Sequence, residues 1–310
     1  MQQPKYVVIT PVRDEAEFLP RVIESMISQT ILPQEWLVVD DGSTDGTLDL
    51  LLAAANEHSW IKVHQKPDRG VRSVGPGVVE AFYFGLDRLE TQDYDFIAKM
   101  DGDIEFRSDY VATLMQYFSH DPYLGSASGK IFLPVGETLI EERTADEMTV
   151  GAFNFYRRKA FEDIGGFTRE VMWDGIAFHE ARIHGWRTRS IANTKLDILH
   201  KRLMGSSHKS ILHGRLRWGR GQYFMGTHPL YIIAIATYRT LERPFFIGGL
   251  SILGGYIASA LKGMKRYGDR DFRKSLHAWQ MERLKLGKRL EQIPKSESGL
   301  NRSFQLEINT

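Results

Sequence analysis

Asp101-Gly102-Asp103 sets two carboxylates one residue apart, directly after the apolar run Phe96-Ile97-Ala98-Lys99-Met100. Such a run reads as a short buried strand, and a glycine after it lets the chain turn sharply. The two carboxyls then stand at the carboxyl edge of a sheet, where open α/β sheets bind their ligands. Hard oxygen ligands in that position suit a divalent cation that keeps several waters and also holds phosphate oxygens. Alone, Asp-x-Asp describes a solvated surface turn equally well. Its weight comes from what surrounds it in the chain.

The elements that must carry these residues can be read in order. Tyr6-Val7-Val8-Ile9-Thr10, bounded by Pro11, is β-branched and reads as a central strand. Leu19, Val22, Ile23, Met26 and Ile27 follow at helical spacing. Trp36 to Asp40 is a second strand, leading into the turn-rich Asp41-Gly42-Ser43-Thr44-Asp45-Gly46-Thr47. A helix from Leu48, a strand from Trp60 to His64 and a helix from Val78 to Leu89 precede the strand at Phe96. Ser108 stands as N-cap for a helix carrying Val111, Leu114, Met115 and Phe118. Alternation with crossover-length connections implies a parallel sheet covered on both faces. After Gly125 it breaks. Strands are expected at Ser126 to Phe132, Gly151 to Arg157, Arg187 to Ala192 and Lys195 to His200, and a helix over Ile176 to His184. The polar, basic stretch Lys201 to Ser210 reads as a loop.

The last hundred residues differ in character. Pro229 to Ala236 and Phe245 to Leu261 are apolar, the second bounded by Arg243-Pro244 and Lys262. A span needs about twenty apolar residues, and Phe245 to Leu261 falls short of that and holds four glycines. Lys262, Lys265, Arg266, Arg270, Arg273 and Lys274 follow it. Apolar beside basic fits contact with an anionic membrane surface. A helix buried against the main domain, or in a homo-oligomer interface, fits as well. The division expected is 1–205 for the main domain and 206–310 for a helical C-terminal region that associates with membrane or oligomerises.

Composition narrows the partners. The 310 residues carry a net charge of +1, which gives no global attraction for nucleic acid. The chain has no cysteine, so thiol chemistry and a disulfide framework are out. Met1 to Lys5 is polar and runs into a strand, so no cleaved export peptide is expected. The expected location is cytoplasmic, peripheral at the inner face of the membrane.

Pro11-Val12-Arg13-Asp14-Glu15, then Val38-Val39-Asp40-Asp41-Gly42-Ser43-Thr44-Asp45-Gly46-Thr47, then Asp101-Gly102-Asp103 resemble the ordered motifs of family 2 glycosyltransferases with the GT-A fold. The resemblance covers residues 5 to 200. It implies a Rossmann-like nucleotide-binding mixed sheet flanked by helices, here with a C-terminal helical extension. The activity it implies is inverting, metal-dependent transfer of a sugar from a nucleotide-diphosphate donor, a UDP-sugar first of all, to a hydroxyl on a lipid-linked or polysaccharide glycan.

The resemblance assigns roles residue by residue. Pro11, Arg13, Glu15 and Asp41 fall on the base side, with Asp41 accepting from the N3–H of uracil or thymine. Arg13 stands where the family often has a stacking aromatic, and a guanidinium plane can stack too. Glu15 could equally favour the amino end of the next helix. Arg72 and Lys99 could reach a phosphate, and Lys201 and Arg202 could clamp the diphosphate as a loop closes. Asp101 would bond the ribose or a metal-bound water. Asp103 would bind Mn²⁺ or Mg²⁺ directly, with His200 as a further ligand and His208 and His213 close in sequence. Phe167 and Trp173 would form the acceptor side. Asp174 would be the general base, or a plain helix N-cap.

Two other functions compete. A nucleotidyltransferase shares the nucleotide-binding sheet but opens with a glycine-rich basic loop, and Pro11 to Glu15 contains no glycine. A catalytically silent sugar-nucleotide-binding subunit of a membrane assembly has no need of Asp101, Asp103 and Asp174 together.

Overall fold

The computed structural model describes residues 3–68, 70, 75–135, 138–142, 144–200, 211–241 and 245–286. Strand and helix alternate through β1 (Tyr6–Val12), α1 (Leu19–Ile27), β2 (Glu35–Asp40), α2 (Thr47–Glu57), β3 (Ile61–Gln65), α3 (Pro76–Leu86) and β4 (Phe96–Met100). β1 pairs in parallel with both β2 and β4, and β2 with β3. Tyr6 and Val8 join the apolar cluster on one face of this sheet, Val7 and Ile9 the cluster on the other. That is why the strands read as continuous apolar runs.

The parallel pattern ends with β5 (Ile104–Phe106), α4 (Tyr110–His120), β6 (Leu124–Gly129), β7 (Ile131–Val135), β8 (Thr138–Glu142) and β9 (Phe153–Arg157). β9 enters the main sheet antiparallel to both β4 and β6. Among the described residues no crossover helix separates β8 from β9, and the chain re-enters the main sheet from the opposite end. With β10 (Arg187–Ile191), the seven-stranded order is β10-β6-β9-β4-β1-β2-β3. The sheet is therefore mixed, as the family resemblance implied and the alternation alone did not. The single strand expected at Ser126 to Phe132 is two strands in two sheets. β7 leaves for a four-stranded sheet ordered β5-β11-β7-β8, where β11 is Ile198–His200. The expected strand from Lys195 begins instead with a 3₁₀ turn, Thr194–Leu196.

Two helix starts also differ from expectation. α4 opens at Tyr110 with Asp109 in the cap position, and no side chain caps it. The Ser108 carbonyl instead accepts from the Thr30 N–H at 2.8 Å. After α5 (Arg158–Asp163), α6 runs Trp173–Ile183, three residues earlier than the apolar spacing suggested. Met172, at φ 71°, caps it, so Asp174 lies inside the first turn and is not the N-cap.

The C-terminal helices are α7 (Ile211–Met225), α8 (Pro229–Thr240), α9 (Ile247–Leu261) and α10 (Arg270–Leu286). α7 and α9 cross at contact distance. A Cβ on Gly219 would meet the Ile252 carbonyl oxygen at 1.9 Å, and one on Gly255 the Leu216 carbonyl oxygen at 2.2 Å. α10 docks on α6 and the end of α7 through Phe272 and Leu276 against Ile176 and Met225. The Tyr267 hydroxyl donates to Glu180 at 2.9 Å, and Arg182 to the Ser275 hydroxyl at 2.8 Å. The extension thus braces the helix that carries Asp174. Among the described residues no helix is long and apolar enough to cross a membrane.

Candidate active site

The site forms where β4 ends. Lys99 is its last cation, 3% exposed and on the face shared with Trp173. Its ammonium pairs with Asp101 and donates to the Gly151 carbonyl at 2.8 Å. Gly151 is reached because β9 runs antiparallel beside β4. The same pairing continues past the strand end, where the Asp101 N–H donates to the Ala152 carbonyl at 2.8 Å. Gly102 has no room for a side chain, since a Cβ would meet Val12 Cγ1 at 2.6 Å and Glu15 Cγ at 3.5 Å. The residue is thus set by close packing, and its φ is not in the left-handed region. Glu15, 4% exposed, is held beside this turn by a bond from its N–H to Thr47 Oγ1 at 2.8 Å.

β5 and β11 bring the third member. They pair antiparallel with His200 opposite Ile104, and His200 Nε2 lies 3.3 Å from Asp103 Oδ1. One ligand atom from each of Asp101, Asp103 and His200 falls within 4.8 Å of the others. Burial works against the charged form of His200. The hydrogen bond and charge of Asp103, with Asp101 and Glu142 behind it, outweigh burial and raise its pKa. Two carboxylates drawn toward one imidazole form a donor set for an oxygen- and nitrogen-liganded divalent cation, so the residues fit the metal that the motifs imply. His213 is exposed on α7 and stands outside this cluster.

The base side is built by the β1–α1 and β2–α2 loops. Asp40 makes the turn: its carboxyl accepts from the Ser43 N–H at 3.0 Å and from Gln65 at 3.1 Å. Asp45 makes the next, accepting from Thr47 Oγ1 at 2.6 Å and from the Ala16 N–H at 3.0 Å. Asp14, at φ 52°, accepts from the Thr44 N–H at 2.8 Å and locks the two loops together. The turn work is therefore done by Asp40, Asp14 and Asp45. Asp41 lies beside them with its carboxyl 3.2 Å from Lys66 Nζ. Arg13 donates to the Asp41 carbonyl at 2.6 Å and to Asp68 at 2.7 Å. Pro11, partly exposed near the end of β1, pairs with Val39. Lys66 and Asp68 were not among the residues picked from sequence. Their signal was position, just past the carboxyl end of the third parallel strand.

Asp174 faces the same end. A Cβ on Gly151, whose carbonyl Lys99 holds, would lie 3.5 Å from Asp174 Oδ2. Burial pushes the Asp174 carboxyl above the ordinary carboxylate range; the Gly175 N–H and the Lys99 charge oppose this, and Asp101 adds to it. Trp173 lies beneath, its ring 5.2 Å from Lys99 Nζ. Phe167 is corrected. It is 4% exposed and packs on Phe82, Tyr156, Phe161 and Trp173, so it belongs to the aromatic core under the site and presents no acceptor surface. Arg72, Lys201, Arg202 and His208 lie outside the described residues.

The profile described as Glycosyl transferase family 2 matches residues 7–165, just over half the chain. The chain belongs to that family. Its GT-A fold is shared by a mannosyltransferase from Pyrobaculum calidifontis in complex with GDP-Man and Mn²⁺, at TM-score 0.54 and 16% identity over 91% of this chain and 81% of that one. Residues 1–349 of TarS from S. aureus, in complex with UDP-GlcNAc, share it at TM-score 0.53 and 16% identity, over 84% and 73%. Among curated relatives, a poly-beta-1,6-N-acetyl-D-glucosamine synthase of Staphylococcus aureus is 20% identical over 255 residues, 76% of this chain. The chain spans 57% of that relative's length. In this family member the three motifs read from sequence do converge on one end of one sheet.

Proposed function

We propose that this family 2 member is an inverting, metal-dependent glycosyltransferase that moves a sugar from a nucleotide-diphosphate donor to a hydroxyl acceptor. The observation that carries the reading is the shared position of two charge-bearing groups. Lys99 pairs with Asp101 of the Asp101, Asp103 and His200 cluster, and its charge also acts on the Asp174 carboxyl, so both stand beside one ammonium.

Asp103 and His200 would hold the cation, with Asp101 at its edge bonding the ribose or a metal-bound water. When bound, that cation supplies Lewis-acid neutralisation of the departing diphosphate. Asp41 reads the base, which is uracil on this reading, and Arg13 closes over it from the β1 loop. Asp174 takes the proton of the acceptor hydroxyl as that oxygen attacks the anomeric carbon opposite the diphosphate. One displacement with a base on the far face inverts the anomeric centre. A raised carboxyl pKa suits a base that must also release its proton.

The acceptor on this reading is a polysaccharide or lipid-linked glycan, and the place of work is the inner face of a membrane. The kinship with polysaccharide synthases supports the first. The test is incubation with a panel of nucleotide sugars, with and without Mn²⁺ or Mg²⁺. Metal-dependent release of nucleoside diphosphate is expected. Release of monophosphate or triphosphate products would instead indicate a nucleotidyltransferase. Donor binding without turnover on any acceptor would indicate a silent subunit.

A further inference from the structure

The α8–α9 hairpin presents an outward apolar face. Together the two helices contain one charged residue, Arg239, and no acid. Ile247, Leu250, Ile257 and Leu261 are all exposed along one side of α9, and Leu230 and Ile233 along α8. Leu261 is 84% exposed. The opposite side of α9 is used up: Gly248, Gly249, Ile252, Gly255, Tyr256 and Ser259 are buried. The outward residues are therefore not left over from packing against α7. They fall at helical spacing on the one face that packing leaves open, as on a helix lying in an interface.

Backbone strain marks the turn of the hairpin. Phe246 caps α9 at φ 60°, a region bulky L-residues avoid, yet its ring is 68% exposed. The Phe246 N–H closes the turn on the Thr240 carbonyl at 3.0 Å, which leaves the side chain outward, as those of the strip are.

Charge identifies the contact. α9 ends at Leu261, and Lys262, Lys265, Arg266, Arg270, Arg273 and Lys274 follow within the next turn and the start of α10. Arg270, Arg273, Lys274 and His277 line one cleft. The cleft sits at the foot of α8, because His277 Nε2 lies 2.8 Å from the Gly226 carbonyl oxygen. An apolar strip with a cationic end matches acyl chains beneath anionic headgroups. A second copy of this chain could cover the apolar strip but offers the cationic end no anionic layer, which an anionic bilayer does.

We infer that the α8–α9 hairpin docks the enzyme on an anionic lipid bilayer, with the strip from Leu230 to Leu261 in the acyl boundary and the basic side chains between Lys262 and Lys274 on the headgroups. This extends the membrane clause of the proposed function but needs no transfer reaction. Flotation is read without donor, so a chain that floats but does not turn over fails only the catalytic reading.

The experiment is co-flotation of the full chain with phosphatidylcholine vesicles, with and without phosphatidylglycerol. Binding to the anionic vesicles, weakening as salt is raised, is expected. Leu250→Gln with Leu261→Gln removes two large apolar contacts and should lower partitioning on the order of 100-fold. Lys262→Glu with Lys265→Glu should abolish the preference for phosphatidylglycerol. All four positions are exposed, and a thermal unfolding curve matching the parent's shows that each variant folds. Failure of the folded parent to float overturns the proposal, as does flotation that neither pair alters. A concentration-dependent dimer broken by the Leu250→Gln pair, with no vesicle binding, also overturns it and gives the face to a second copy.

Discussion

Asp103 Oδ1 lies 3.3 Å from His200 Nε2, and the antiparallel pairing of β5 with β11, which sets His200 opposite Ile104, makes that contact. The ligand pair is thus a property of the second sheet, while Asp101 belongs to the end of the first. Asp103→Ala removes one carboxylate without disturbing either ladder. It should reduce transfer and donor hydrolysis by about 10²–10³-fold, the scale of losing one electrostatic partner of a leaving group. Mn²⁺ should raise the melting temperature of the parent and not that of this variant. A variant that turns over like the parent would remove the metal role.

Asp174→Asn separates chemistry from stability. The carboxyl has a raised pKa in the folded chain, so between its ordinary value of 3.8 and the raised one the folded state binds more protons than the unfolded. Stability contributed by this group then falls as pH rises through that window, and at neutral pH its ionisation is a net cost. Asparagine cannot ionise. The variant should melt higher at neutral pH. It should lose about 10²–10⁴-fold in kcat with the donor KM unchanged. Retained kcat would reassign the base.

Much of this was legible in the residues. Tyr6 to Thr10 and Phe96 to Met100 read as buried strands because both faces of each are covered, and apolar runs report that directly. The loop from Asp40 to Thr47 is local turn chemistry, and local chemistry is written in sequence. The direction of β9 was not legible, because it depends on which partner the strand finds. The link from Lys99 to Gly151 follows from that pairing and was hidden with it. α6 starts early because Met172 adopts a left-handed conformation that its residue type does not announce. Phe167 looked like an acceptor surface because an aromatic near a motif reads alike whether it faces substrate or core.

Lys99 ties the two halves of the site, and its removal should show in the pH profile. Its charge opposes the rise in the Asp174 pKa. In Lys99→Met that opposition is gone, so the base is protonated at higher pH and the acid limb of kcat moves upward. The group acts deprotonated, so activity is lost as pH falls through the limb in both proteins. A limb at the parent's pH would show that Lys99 does not tune Asp174.

Asp40, Asp14 and Asp45 accept from the N–H groups of Ser43, Thr44 and Thr47, while the Asp41 carboxyl lies 3.2 Å from Lys66 Nζ. Asp41→Asn should therefore leave the fold intact while weakening recognition of the base. Competition by UDP against the donor should weaken by about 10-fold to 100-fold, the cost of an unmatched buried polar contact. Competition by pyrophosphate, which carries no base, should not change. Equal weakening of both would place Asp41 on the phosphate side or in the fold.

Gly255 tests whether the C-terminal helices are one body with the catalytic domain. A Cβ there would meet the Leu216 carbonyl oxygen at 2.2 Å, and backbone cannot swing aside as a side chain can. Gly255→Ala should force α9 off α7 and cost about 1–3 kcal/mol, the usual penalty of overpacking. α7 leads through Met225 to Ile176 on α6, and α10 packs on the same cluster, so the strain has a route to the Asp174 helix. A single cooperative transition at lower temperature, with a matching loss of transfer near that temperature, is expected. Two separate transitions, the upper one unshifted and still binding donor, would show that α7 to α10 unfold apart from the sheet and brace nothing in it.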